Sequence, residues 1–528
     1  MKNRIFNIMP LLALSFVLLF SACKEESLGE PDRLFRPIVS GTVGGTWLTA
    51  SWDRFDGSLQ YQVEFSEYED FSIILKDTLT HETFFTVHGL DYNTNYYFRV
   101  KALGNNIESR PVVYATRTSK LPTKMKVPAS NDMIDTQARV IWEEVSYDSL
   151  RVFIKKQHIK TFHLSEKDNL DKVFIVTGLE PSTTYTIKAY GDGDYKGEQD
   201  YTMAAPQVFE GDYVDLRGID LEEAYAMLNQ TFFDSIATLY PGGMTVVLEG
   251  GTHYQIPTIN MSVNTKIVSG LSFLGRAVWE FYGGIGIKPD VNLQYVILDG
   301  LIVTDHPSAL RESSNYGGKY LLDIRGTTPG TKVQEFKVVN SDVRYKRGFM
   351  RAQSSVQIEK VTIENCIIDS MGGYGVVNAD NAGSYIKNVF VKNTTISHSD
   401  KIFVDTKSVP TDMLNSVWLE NLTICTKGSN YILDYPSKTI PGGITIKNCL
   451  FGNVDGGTPK GMRSEATMFT IEDNYRAADV LWTNPIDIDA LPQSTAEIFE
   501  NPSEMNFRFK SSFTNNKVVG KLGDPRWW

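Results

Sequence analysis

The stretch "VFVKN", Val389–Asn393, decides the fold because it recurs. The template apolar-x-apolar-x-Asn returns as "FKVVN" ending at Asn340, "VTIEN" at Asn365, "VWLEN" at Asn421 and "ITIKN" at Asn448, so that successive asparagines stand 25, 28, 28 and 27 residues apart. A repeat of that length with one residue type at a fixed place is the signature of a solenoid. Asparagine tolerates the left-handed backbone, and its amide can bond to the asparagine of the next coil. The asparagine column therefore reads as structural rather than catalytic.

A second strand keeps time with the first. "LLDIR" ends at Arg325, "GFMR" at Arg351, "GVVN" at Asn378, "IFVD" at Asp405 and "YILD" at Asp434. The residues just before these ends, Ile324, Met350, Val377, Val404 and Leu433, are all apolar. Side chains alternate across a strand, so this apolar column is predicted to face inward and the polar column Arg325, Arg351, Asn378, Asp405, Asp434 outward. Two further columns share that outward face. One is Thr327, Gln353, Asp380, Lys407, Pro436, and the other is Asp323, Phe349, Val376, Phe403, Ile432. Parallel strands stack about 4.8 Å apart, and residues 206–528 are predicted to form a right-handed parallel β-helix. "DLEEAYAMLNQTFFDSIATL", Asp220–Leu239, has apolar residues at helical spacing, with Asp220 and Glu223 at capping-box distance. It is expected to cap the first coil, where a bare strand edge invites aggregation. The terminal "GDPRWW" is expected to bury its tryptophans as a clamp. Cys366 and Cys449 fall three coils apart, about 14 Å by stacking, too far for a disulfide.

The template resembles the pectate lyase and polygalacturonase group. That resemblance implies binding of a chain-like polysaccharide along a strand face. The candidate ligand residues on the face are Phe349, Arg351, Gln353, Asn378, Asp380, Phe403, Asp405, Lys407 and Asp434. Asp380, Asp405 and Asp434 together offer oxygens of the kind Ca²⁺ requires, and Arg351 or Lys407 could meet a uronate carboxylate. Alternating charges on neighbouring strands also form ordinary cross-strand pairs, so the face is open to both readings. Loops after these strands bring Tyr385, Lys387 and Lys438 near it, and "AVWEFYGG", Ala277–Gly284, supplies Trp279, Phe281 and Tyr282 as either core or a stacking platform. The Asn-Thr-Asp and Gly-His-Gly motifs of polygalacturonases, the Gly-Arg-Pro-Trp segment of pectin methylesterases and the Arg-x-Pro of common pectate lyases are not found, so the fold alone licenses no activity.

Upstream, "GLDYNTNYYFRVKA" (Gly89–Ala102) aligns with "GLEPSTTYTIKAYG" (Gly178–Gly191), and Trp52 with Trp142. The pairs lie 89 or 90 residues apart, about one small β-sandwich. This resembles fibronectin type III modules, in which an early Trp fills the core and a Leu-x-Pro-x-Thr-x-Tyr corner precedes a late strand. Tyr92 replaces the corner proline in the first copy, whereas Pro181 keeps it in the second. The modules are placed at 35–119 and 120–205, with a spacer role.

The N-terminus reads as a signal segment over residues 1–22: Lys2 and Arg4, an apolar run, then Ser21 and Ala22. The residues before Cys23 resemble the bacterial lipobox, with Phe20 where leucine is usual. Lys24, Glu25 and Glu26, at the start of a 23–34 linker, resemble the surface-export signal of Bacteroidota-type lipoproteins. Net charge is −11, which argues against nucleic acid as a partner. The other cysteines, Cys366, Cys425 and Cys449, are an odd trio and make no disulfide framework. The whole order resembles surface glycan-binding lipoproteins of polysaccharide-utilisation systems. It implies an outer-membrane lipoprotein, facing the exterior, that binds an acidic pectin-class polysaccharide beside glycan-import proteins. The alternatives are a Ca²⁺-dependent lyase acting on uronic-acid-containing glycans and a surface adhesin.

Overall fold

The computed structural model describes residues 33–306, 316–325, 330–353, 355–379, 381–406, 413–454 and 456–528, so Cys23, Asp380 and Lys407 lie outside the described residues. The protein is mainly β. Fibronectin type III-like sandwich sheets come first, a parallel β-helix follows, and helices are few. Two compact units are formed. The first takes in residues up to Val127 with Trp142–Lys172 and Thr186–Asp200, and the second takes in Pro128–Ile141, Val173–Tyr185 and Tyr201–Trp528.

In the first unit a three-stranded sheet (Val39–Val43, Trp47–Trp52, Phe84–His88) and a four-stranded sheet (Lys76–Thr80, Gln60–Ser66, Asn95–Leu103, Val112–Arg117) enclose Leu48, Trp52, Tyr61, Phe65, Tyr96 and Phe98. Strict alternation in "NYYFRVKAL" sends Tyr96, Phe98, Val100 and Ala102 inward. The Tyr96 hydroxyl accepts the Asp91 N–H at 3.2 Å, fixing the corner before its strand. Tyr185 does the same for Glu180 at 2.9 Å in the second unit.

The β-helix carries three strands per coil. One coil runs Lys332–Val339, Asp342–Lys346, Gly348–Gln353, and the next runs Gln357–Glu364, Ile367–Met371, Val377–Asn378. Phe336, Val361, Val389, Val417 and Ile444 fall in one parallel register and are buried. Each template asparagine sits at the bend between the first two strands with positive φ: 53° at Asn340, 55° at Asn365, 49° at Asn393, 55° at Asn421 and 53° at Asn448. Their amides form a continuous ladder in which each donates to the preceding coil, at 3.2 Å for Asn365, 3.1 Å for Asn393, 2.8 Å for Asn421 and 3.1 Å for Asn448. Asn340 heads the ladder by donating to Asp299 at 2.9 Å. One residue on, two further side chains bridge neighbouring coils. Thr394 Oγ1 accepts the Cys366 N–H at 3.2 Å, and Asn474 Oδ1 accepts the Cys449 N–H at 2.8 Å. Cys366, Cys425 and Cys449 are buried and unpaired, and burial pushes the Cys366 and Cys449 thiols up to about 12, where they are inert packing groups.

The expected capping helix is two helices, Leu221–Tyr225 and Gln230–Leu239, broken because Asn229 caps the second by accepting the Phe232 N–H at 3.0 Å. Asp220 accepts the Glu222 N–H at 3.0 Å, in place of a capping box with Glu223. Ala224, Leu228, Phe233 and Ile236 continue the solenoid core, as expected of a cap. Trp279 and Phe281 also belong to that core, which settles their two readings, while Tyr282 is exposed and lies against His306. The tail differs from expectation. Trp527 is half-buried, its indole donating to Thr395 at 2.7 Å, and Trp528 is 51% exposed. The buried anchor is instead Asp524, which accepts from Thr395 at 2.8 Å while its N–H donates to Thr423 at 3.0 Å.

Candidate functional site

The third strand of each coil builds the face on which the sequence placed the ligand residues, but in a different register. Asp323 pairs with Arg351, Arg351 with Asn378, Asn378 with Val404, Val404 with Asp434 and Asp434 with Arg463. Arg325 therefore stands beside Gln353, and Asp405 leaves the outward column. A one-residue slip reverses the face a side chain points to. Asp405 is accordingly buried, 3.5 Å from the equally buried Lys438. Phe403 pairs with Leu433 in the core. Phe349 is fully buried next to Met350, because at the bend where the chain enters this sheet two successive residues both point inward. Phe349 and Phe403 are thus core residues, not surface ones. Two members of the expected three-aspartate cation site, Asp405 and Asp434, each face a basic side chain. Asp405 faces Lys438, Asp434 is held by Arg463 at 2.6 Å, and Asp380 lies outside the described residues, as does Lys407. Among the described residues no group of three His, Cys, Asp or Glu side chains could hold a metal ion. Asn378 is buried and donates to the Tyr374 carbonyl at 3.1 Å.

Arg351 lines a cleft of about 400 Å³ near the start of the β-helix, and Gln353 touches it only through its bond to Asp323. Gly283–Ile287 form part of its wall, and among the described residues it is lined by Lys319, Arg325, Arg347 and Arg351 against one carboxylate, that of Asp323. That carboxylate is already occupied by Arg325 at 2.7 Å and by the Gln353 amide. Tyr320 and Tyr374 meet edge to face with centroids 5.5 Å apart, which Gly348 permits: a Cβ there would come within 2.9 Å of the Tyr320 ring and 3.1 Å of Tyr374 Cβ.

Both guanidiniums pack on these rings. The Arg347 carbon lies 4.6 Å and the Arg351 carbon 4.5 Å from the Tyr374 centroid, and each is 5.9 Å from that of Tyr320. Long contacts tie Arg347 to the Tyr374 hydroxyl (3.4 Å) and Arg351 to the Tyr320 hydroxyl (3.5 Å). The Nε atoms of both arginines are shielded from solvent and have no hydrogen-bond partner. An unsatisfied buried donor is destabilising by roughly 1–3 kcal/mol, so the arrangement favours an acceptor that reaches both groups. A guanidinium stacked on an aromatic ring presents its fork to a planar anion, and carboxylate fits best. Burial raises the Tyr320 phenol above its ordinary range, opposed by the positive charge of Arg351 and Arg347.

Sequence reasoning reached Arg351 and Gln353 but missed Arg347, Tyr320 and Tyr374. The available signal was the four-residue spacing of the two arginines across "YKRGFMR", with a glycine between them.

The Fibronectin type III domain model matches residues 35–114. A search of curated proteins returns no match. Among solved structures, the chain is similar to the two-domain fibronectin type III segment of chicken tenascin, at 17% identity over 32% of this chain and 99% of that one, TM-score 0.16. It is also similar to the FN1–FN3 domains of chicken CNTN1, at 17% identity over 33% of this chain and 69% of that one, TM-score 0.16. A third is the d3–d4 region of rat CD45, at 15% identity over 16% of this chain, TM-score 0.15, where the chain spans half (50%) of that structure's length. The chain thus carries a fibronectin type III domain over residues 35–114 and, downstream, a parallel β-helix.

Proposed function

We propose that this protein holds an acidic, pectin-class polysaccharide in the arginine cleft of its β-helix. It would do so as an outer-membrane lipoprotein, anchored through Cys23 and facing the exterior, and would serve a polysaccharide-utilisation system beside glycan-import proteins. The fibronectin-like modules would hold the β-helix away from the lipid. A β-helix joined to a fibronectin type III domain fits a carbohydrate-active or adhesin-like protein, and the cleft supplies the finer reading.

The supporting observation is the pair of orphaned Nε atoms on Arg347 and Arg351, stacked on Tyr374 beside a carboxylate that is already neutralised. A uronate offers its carboxylate to the two guanidiniums and its ring to Tyr320 or Tyr374. Because Asp405 and Asp434 each face a basic side chain, this reading routes nothing through Ca²⁺.

Calorimetric titration with trigalacturonate tests it. Wild type should bind, and the Arg347→Ala/Arg351→Ala variant should bind at least about tenfold more weakly, with chelator changing neither. Equal affinities, with both proteins folded, would remove the cleft from the function. Accumulation of an unsaturated uronide in the same cell would turn the reading into a lyase.

A further inference from the structure

A larger cleft, about 810 Å³, lies within the first compact unit, and its chemistry is unlike that of the arginine cleft. Three tyrosines form a row along it. Tyr92 and Tyr195 have centroids 6.4 Å apart, and Tyr190 and Tyr195 have centroids 6.0 Å apart. Tyr92 is seated against Gly45, where any Cβ would come within 2.4 Å of the ring. The Tyr195 hydroxyl is shielded from solvent and makes no well-formed hydrogen bond, and burial together with the neighbouring Glu198 carboxylate raises its phenol above the ordinary range.

Two of the cations lining this cleft are paired with carboxylates. Lys188 lies 3.3 Å from the buried Glu198, which also accepts the Asn93 side-chain amide. Lys156 lies 3.3 Å from Glu67, and Arg117 Nε donates to the Asn93 carbonyl at 3.1 Å. At Lys156 and Lys188 an entering anion would compete with carboxylates already paired to them. A neutral polyol would not, because paired ionic groups still offer lone pairs and N–H bonds to hydroxyls. Aromatic faces complement the apolar C–H faces of a sugar ring, and the volume lies within the usual range of small-ligand sites, roughly 300–1,000 Å³.

We propose that this cleft binds an uncharged oligosaccharide stacked along Tyr92, Tyr190 and Tyr195, with a sugar hydroxyl giving Tyr195 the well-formed hydrogen bond that Glu198 does not. The site is separate from the arginine cleft and selects for the opposite kind of glycan.

The test is titration of the full chain with mannohexaose, xylohexaose and galactohexaose, alongside trigalacturonate. At least one neutral hexasaccharide should bind. Tyr92→Ala should weaken that binding by about tenfold or more, as for loss of a stacked ring. Tyr195→Phe removes only the oxygen and should weaken it by about threefold or more, as for loss of one neutral hydrogen bond. Trigalacturonate affinity should be unchanged in both. The proposal is overturned if no neutral hexasaccharide binds, if both variants fold and bind as wild type does, or if neutral binding is lost in Arg347→Ala/Arg351→Ala instead.

Discussion

Arg347 and Arg351 share one aromatic ring, their guanidinium carbons 4.6 and 4.5 Å from the centroid of Tyr374. Two like charges are held this close because the tyrosine π-system lies against both, and because Asp323 stands in the adjacent strand.

Charge alone does not make this site. Arg351→Lys keeps the positive charge but loses both the planar stack on Tyr374 and the fork. Its trigalacturonate affinity should fall between those of wild type and Arg351→Ala, while its salt dependence should match wild type. Titration at two ionic strengths checks this, and full rescue by lysine would mean that stacking contributes nothing.

The asparagine ladder should be separable into backbone and amide parts. Asn393→Gly keeps the positive φ of 49° and loses only the amide bonds, whereas Asn393→Leu loses both. Leucine should cost about 1–2 kcal/mol beyond glycine, the strain of a left-handed non-glycine residue. Urea unfolding of the two variants measures the difference, and equal midpoints would place the ladder's value wholly in its amides.

Lys346 and Asp305 form an ion pair with both side chains essentially inaccessible, the ammonium 4.6 Å from the centre of Phe281. Lys346→Met leaves the buried aspartate without its ammonium and should destabilise by about 3–5 kcal/mol. The Lys346→Met/Asp305→Asn double variant should recover most of that loss. Denaturant unfolding decides the matter, and a single variant as stable as wild type would show that the carboxylate is satisfied without the lysine.

Burial raises the Asp524 carboxyl to about 6, against an ordinary value near 3.9, with Arg526 opposing the shift. A raised acid binds its proton more tightly folded than unfolded, so stability falls as pH rises through roughly 4 to 6, and the loss is complete above that window. The size of the effect is on the order of 2–3 kcal/mol. Asp524→Asn should flatten this dependence while keeping the Thr395 contact. Melting curves at intervals across the window test it, and an unchanged slope would assign the pH response to another group.

The asparagine ladder could be read without a structure because its spacing repeats and few residues other than asparagine and glycine occupy left-handed turns. Trp52, Trp142, Tyr96 and Tyr185 were equally plain, since aromatic residues at matched spacing in alternating strands have one place to go. The outward face was harder. Counting residues assumes equal strands, but the strands at Val377–Asn378 and Phe403–Val404 have only two residues each, and the bend absorbs the remainder. Asp405 and Phe403 moved to the interior by that slack. Arg347 and Tyr320 escaped notice because Arg347 lies at the bend between Asp342–Lys346 and Gly348–Gln353 and Tyr320 is the first residue of its strand, places where alternation carries no information.

The ladder has a consequence for how such a molecule can change over generations. Any coil that brings an asparagine to its bend offers the same amide to the neighbour on either side, so coils are interchangeable at that seam. Duplicating the segment between Asn393 and Asn421 would lengthen the rod without breaking a rung. The arginine cleft, whose lining residues run from Thr258 to Arg351, would ride along unaltered. Coil number and the cleft are thus separately heritable in this architecture.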